Sequence, residues 1–117
     1  MNPVAVIIPV YKSNFTLHEQ ISFTQCLNIL NNYPIKLVKP ISLNIDFILD
    51  NHPQVEVETF DDSYFKSVQA YNRLMLSTEF YERFLNYEYM LIYQLDAFVF
   101  RDELQKWCAK GYDYIGA

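Results

Sequence analysis

One carboxylate, Asp96, lies inside the most apolar long stretch of the chain, "MLIYQLDAFVF" at 90–100. An ionised carboxylate left unpaired among Leu, Ile, Phe and Val costs several kcal/mol, so Asp96 must be solvated, hydrogen-bonded or bound to a cation. The third possibility would be hard-metal chemistry, because carboxylate, carboxamide and phosphate oxygens are the donors that Mg2+ and Mn2+ take. Gln94 stands two positions earlier, on the same face of a strand. Asp102 and Glu103 are further oxygen donors, although acids in the first turn of a helix also serve simply to complement its dipole.

Other chemistries find no footing. His18 and His52 stand alone, without the C-x-x-C or H-x-x-x-H spacing of a zinc site. Ser13, Ser63 and Ser67 lack the G-x-S-x-G turn that exposes a nucleophilic serine. The only glycines are Gly111 and Gly116, so neither the G-x-G-x-x-G nor the G-x-x-x-x-G-K-[ST] phosphate loop is present. Cys26 and Cys108 are remote in sequence and fall in helix-like segments, which reads as reduced, buried thiols in a cytoplasmic protein.

The elements that must position Asp96 alternate between strand and helix. "VAVIIPV" (4–10) is a continuous β-branched run, the pattern of a strand covered on both faces. Thr16 with Glu19 forms a capping box opening a helix that ends at Pro34, and Leu17, Ile21, Phe23, Leu27 and Leu30 supply its apolar stripe. "IKLV" (35–38) is a second strand, a short helix spans about 43–50, and the alternating "QVEVETF" (54–60) is a more exposed third strand. Asp61, Asp62 and Ser63 offer N-cap groups to one long helical region running through "YFKSVQAYNRLMLSTEFYERFLNY". A fourth strand lies in "EYMLIYQLDAFVF", a helix in "RDELQKWCAKG" and a fifth strand in "YDYIGA".

Strands alternating with helices predict right-handed βαβ units, hence an α/β fold: a Rossmann-like three-layer α/β/α sandwich with a mostly parallel sheet. The 117 residues suffice for a single domain. A formal net charge of −5 and no Lys/Arg cluster argue against a nucleic-acid partner. The first apolar run is far shorter than the ~20 residues of a membrane span, so no transmembrane segment is expected. In an open parallel sheet the ligand sits beyond the carboxyl ends of the strands, where the strand order reverses. With the order 3-2-1-4, the loop Val10–Ser13 and the segment Gln94–Asp96 would converge on that crevice.

"VAVIIPVYK", "AYNRLMLS" and "YEYMLIYQLDAFVF" followed by "YDYIGA" resemble the nucleotide-sugar-binding half of GT-A-type glycosyltransferases, and in particular a group of bacterial glycosyltransferase-like domains of unknown function. The resemblance implies a nucleotide-binding set of Pro9, Val10 and Tyr11 after the first strand, with Asn72 and Arg73 from "AYNRLM". It implies a metal site at Asp96, which falls on the first acid of the D-x-D motif, and Mg2+ or Mn2+ as cofactor. The partners it implies are a nucleotide-diphosphate sugar donor and an unidentified glycan or other acceptor. Tyr11 would stack on the base, and Lys12 would approach a phosphate. Two departures stand out: Phe98 takes the place of the second D-x-D acid, and Lys39-Pro40 replaces an acidic pair used to read uracil. Members of the resembled group also continue past "YIGA" into an acceptor-binding half that supplies the catalytic base. Residues 1–117 are therefore expected to be a single donor-binding domain truncated at its C-terminus and inactive alone, with self-association through the sheet edge at "YDYIGA". The competing expectation is a noncatalytic nucleotide- or partner-binding domain that keeps the fold without the transfer chemistry.

Overall fold

The computed structural model describes residues 4–12 and 14–94. Four strands, β1 (Val4–Pro9), β2 (Ile35–Pro40), β3 (Glu56–Phe60) and β4 (Tyr89–Ile92), form one sheet in the order β3-β2-β1-β4. All pairings are parallel, with Val6 opposite Ile35 and Leu91, and Leu37 opposite Val57. Four α-helices accompany them: α1 (Leu17–Ile29), α2 (Asp46–Leu49), α3 (Val68–Met75) and α4 (Thr78–Glu82). This is an α/β fold of the Rossmann-like kind. Among the described residues, no helix is long and apolar enough to cross a membrane.

β1 is buried from end to end, as its unbroken apolar run requires. Because successive strand side chains point to opposite faces, β1 feeds two cores. Val4, Val6, Ile8 and Val10 pack with Phe23, Cys26, Leu27 and Leu30 of the α1 layer and with Ile48 of α2. Ala5 and Ile7 face Leu74 of α3, Phe80 of α4, and Phe84. β3 lies at one edge of the sheet, and its Glu56 and Glu58 carry the charge that blunts an exposed edge.

The capping box forms: Thr16 N–H donates to Glu19 Oε1 at 2.8 Å, and Glu19 N–H to Thr16 Oγ1 at 3.2 Å. The apolar stripe expected on α1 is only partly the buried one. Ser22, Phe23, Cys26 and Leu27 face the sheet, whereas Leu17 is 79% exposed and Ile21 49%. At ~100° per residue, Leu17 and Ile21 lie roughly 120–160° around the helix from Phe23, so one rotation cannot bury all of them.

The single long helix expected after residue 60 is instead three short pieces: a 3-10 turn at Asp62–Phe65, then α3 and α4. Serines divide them. Ser67 accepts from Ala70 N–H and Ser77 from Phe80 N–H, each starting a new helix as an N-cap. Leu74 of α3, Phe80 of α4 and Phe84 just after it pack against the sheet, with Tyr64 and Phe65 of the 3-10 turn against the same cluster. The helix and strand expected within 101–117, the edge at "YDYIGA" and Cys108 lie outside the described residues.

Candidate functional site at the carboxyl end of β1

β1 is the pivot of the sheet, since the chain moves to β2 and β3 on one side and returns to β4 on the other. Its hydrogen bonds show which neighbouring strand each of its residues serves. Val6 N–H donates to Pro34 C=O and Val10 N–H to Val38 C=O, so the even-numbered donors of β1 serve the β2 side. The odd-numbered positions face β4, and there Pro9 has no N–H to give. Among the described residues the pairing of β1 with β4 runs to Ile7 opposite Ile92, followed by Tyr93 N–H to Ile7 C=O at 2.8 Å, and the β2 pairing runs to Pro9.

A cleft of about 100 Å3 lies at this end of the sheet, lined among the described residues by Pro9, Val10, Tyr11 and Lys12 at the end of β1 and after it, Phe15 and Glu19 at the start of α1, and Gln94 after β4. Three of the five residues expected to bind a nucleotide, Pro9, Val10 and Tyr11, are therefore together on one wall. Val10 is buried and Tyr11 is 60% exposed, a large aromatic face open to solvent. Asn72 and Arg73 are exposed on α3 and do not line the cleft. The residue through which α3 reaches this region is their neighbour Tyr71, whose hydroxyl oxygen accepts from Gln94 Nε2 at 3.2 Å. Burial raises the Tyr71 phenol above its ordinary range; the Gln94 hydrogen bond opposes this and nearby Tyr11 adds to it. Sequence reasoning missed Tyr71, although its place directly before Asn72 in "AYNRLM" was the available signal.

Beneath the cleft, Tyr93 is buried and its hydroxyl lies 2.9 Å from Ser22 Oγ of α1, itself fully buried. This bond ties the end of β4 to α1 at the position just before Gln94. The cleft also holds an ion pair, Lys12 Nζ to Glu19 Oε1 at 2.8 Å. Glu19 raises the Lys12 ammonium pKa, and Lys12, then the Thr16 N–H, hold the Glu19 carboxyl below its ordinary range.

Other candidate groups serve the turns. Asp61 accepts from Ser63 N–H at 2.9 Å as the cap of the 3-10 turn, and Asp62 accepts from Ser42 N–H at 3.1 Å. Lys39, at the place where the resemblance would put acids reading a base, donates to the carbonyls of Pro40 (2.9 Å) and Leu43 (2.7 Å) and so closes the turn after β2. Asp96, the expected metal ligand, lies outside the described residues, as do Phe98, Asp102 and Glu103. Among the described residues no group of three or more His, Cys, Asp or Glu gathers to hold a metal ion. The oxygen donors lining this end of the sheet include the Gln94 carboxamide and Glu19, the latter engaged by Lys12 and Thr16. They are of the hard class that Mg2+ or Mn2+ takes, and they fall short of a metal cage by themselves.

No curated protein matches the sequence significantly. A family model matches residues 54–117, more than half of the chain, from the start of β3 through Tyr71, Tyr93 and Gln94 to the last residue. The chain belongs to the family described as "Protein of unknown function (DUF5672)".

Proposed function

We propose that the domain binds a nucleotide-diphosphate sugar in the β1/β4 cleft and is the donor-binding part of a glycosyltransferase. The observation that carries this reading is the cleft itself. It lies at the point where strand order reverses and joins the exposed ring of Tyr11 to Gln94, two residues ahead of Asp96. In this reading Tyr11 stacks on the base, the Pro9–Val10 backbone seats the nucleoside, and Gln94 is held toward the ligand by Tyr71. Asn72 and Arg73, exposed on α3 directly after Tyr71, are assigned to the outer part of the nucleotide. Asp96 would hold the divalent metal, with water and phosphate oxygens completing the shell. A bound Mg2+ or Mn2+ would offset the charge that builds on a departing diphosphate.

The test is calorimetric titration of UDP and GDP, with and without Mn2+, into the wild-type chain and Asp96→Ala. The expected result is nucleotide binding that Mn2+ strengthens in the wild type and no longer strengthens in the variant. Identical, metal-independent behaviour of the two proteins overturns the metal assignment, and no binding of either nucleotide overturns the nucleotide assignment. A second reading, a binding domain without transfer chemistry, draws on Phe98 at the position of a second acid. It predicts nucleotide binding that is indifferent to Mn2+.

A further inference from the structure

Lys12 is the one cationic side chain among the described residues that line the cleft, and Glu19 is the one anionic side chain there. They meet at 2.8 Å, and the two halves of the pair are held very differently. Glu19 is fixed: the Oε1 that accepts from Lys12 also accepts Thr16 N–H at 2.8 Å, and Glu19 N–H returns to Thr16 Oγ1. Its side chain is 17% exposed, against 44% for that of Lys12, which extends from the loop after β1. Helix capping does not require the charge, since glutamine at the third helical position closes the same box. The charge on Glu19 therefore has a separate consequence, which is to occupy the one cation among the described residues of the cleft.

We infer that the Lys12 ammonium is the phosphoryl-binding group of this cleft and that Glu19 is its internal competitor, displaced when a phosphorylated ligand enters. The inference rests on the reading of the cleft as a nucleotide site and names the group that meets its phosphates. Entry of the anion breaks the Lys12–Glu19 contact, the ammonium turns to the phosphoryl oxygens, and Glu19 stays in place as the helix cap. In a chain of net charge −5, this arrangement keeps the cleft from attracting small anions at large. It also selects for a ligand that has further contacts, such as a base on Tyr11, to offset the exchange.

The test is titration of inorganic pyrophosphate and of UDP, without divalent metal, into the wild type, Glu19→Gln, Lys12→Gln and the double variant, followed by the amide resonances of Tyr11 and Gln94. Glu19→Gln keeps the cap and is expected to bind pyrophosphate about two- to fivefold more tightly than the wild type, the range of an exposed ion pair. That gain is expected to vanish when Lys12 is also Gln, because the two substitutions act through one contact. Lys12→Gln alone, which leaves the cap untouched, must weaken pyrophosphate binding. The inference is overturned by no gain in Glu19→Gln, by a gain that survives in the double variant, or by no binding to Glu19→Gln at several millimolar. UDP binding that ignores Glu19 removes this inference alone. A Lys12-dependent pyrophosphate gain with no preference for UDP removes the nucleotide reading and leaves the anion site.

Discussion

The hydrogen bond between Tyr93 and Ser22 joins residues 71 apart in sequence and is the link that sets the end of β4 against α1, directly before Gln94. Tyr93→Phe removes it while keeping the ring. The bond is 2.9 Å long, Ser22 is 0% exposed and Tyr93 only 6%, so its loss is felt in a desolvated setting. A net cost of about 1–1.5 kcal/mol follows for a hydrogen bond of this kind. In a domain of this size that corresponds to a fall in Tm of about 3–6 °C. Ser22→Ala removes the same bond from the other side, but it also gains up to about 0.5 kcal/mol of intrinsic helix propensity, so neither single variant isolates the interaction. A double-mutant cycle does. Urea unfolding of the wild type, both single variants and the double variant should give a coupling energy near 1 kcal/mol. The amide resonances of Gln94 should shift in Tyr93→Phe and move little further in the double variant. A coupling energy below about 0.3 kcal/mol would refute the reasoning, since the hydroxyls would then not act as one link.

Thr16→Ala breaks the capping box and should cost about 1 kcal/mol, read from urea unfolding together with far-ultraviolet circular dichroism. Phe80 is 0% exposed, with the rings of Phe84 and Phe60 at 5.1 Å and 5.7 Å, so Phe80→Ala should cost about 3–5 kcal/mol. Guanidinium unfolding measures this loss, and one below 1.5 kcal/mol would mean that the α4 layer is loosely packed. Burial pushes the Cys26 thiol from 9.0 up to about 12, so in a Cys108→Ser background it should resist iodoacetamide at pH 8 until the chain unfolds. The raised value also fixes the sign of the pH dependence. The contribution of Cys26 is complete below pH 9 and is lost as pH rises toward 12, by up to about 1.4 kcal/mol per pH unit, and Cys26→Ala should remove that slope in alkaline denaturation.

The parallel α/β architecture was legible because it rests on patterns carried by neighbouring residues, whereas the 3-2-1-4 order entered only as a condition and is the order the sheet has. "VAVIIPV" has no polar face to give to solvent, so its strand had to be covered on both sides. Thr16 and Glu19 recognise each other across a single turn, so their box needs no tertiary help. The broken helix after residue 60 was half legible: Ser67 and Ser77 are good N-caps, but a serine also tolerates a helix interior, and only packing against the sheet decided for the caps. The rotation of α1 was not legible, because Leu17 and Ile21 on one side compete with Phe23, Leu27 and Leu30 on the other, and hydrophobicity alone does not rank them. The cleft residues were found in part. Pro9, Val10 and Tyr11 followed from strand order and resemblance, whereas the involvement of Tyr71 depends on which face α3 turns inward.

By itself the sequence determined strands β1 to β4, their alternation with helices and the capped start of α1, since each depends on periodicity or on groups within one turn of one another. The tertiary structure alone decided that Tyr93 reaches Ser22, that Gln94 meets Tyr71, and that Lys12 folds back onto the capping-box residue Glu19. These contacts join separate elements or a loop to a helix, and their partners are set by sheet register and helix rotation. Both of those are properties of the packed whole, to which every buried side chain contributes and which no local segment encodes.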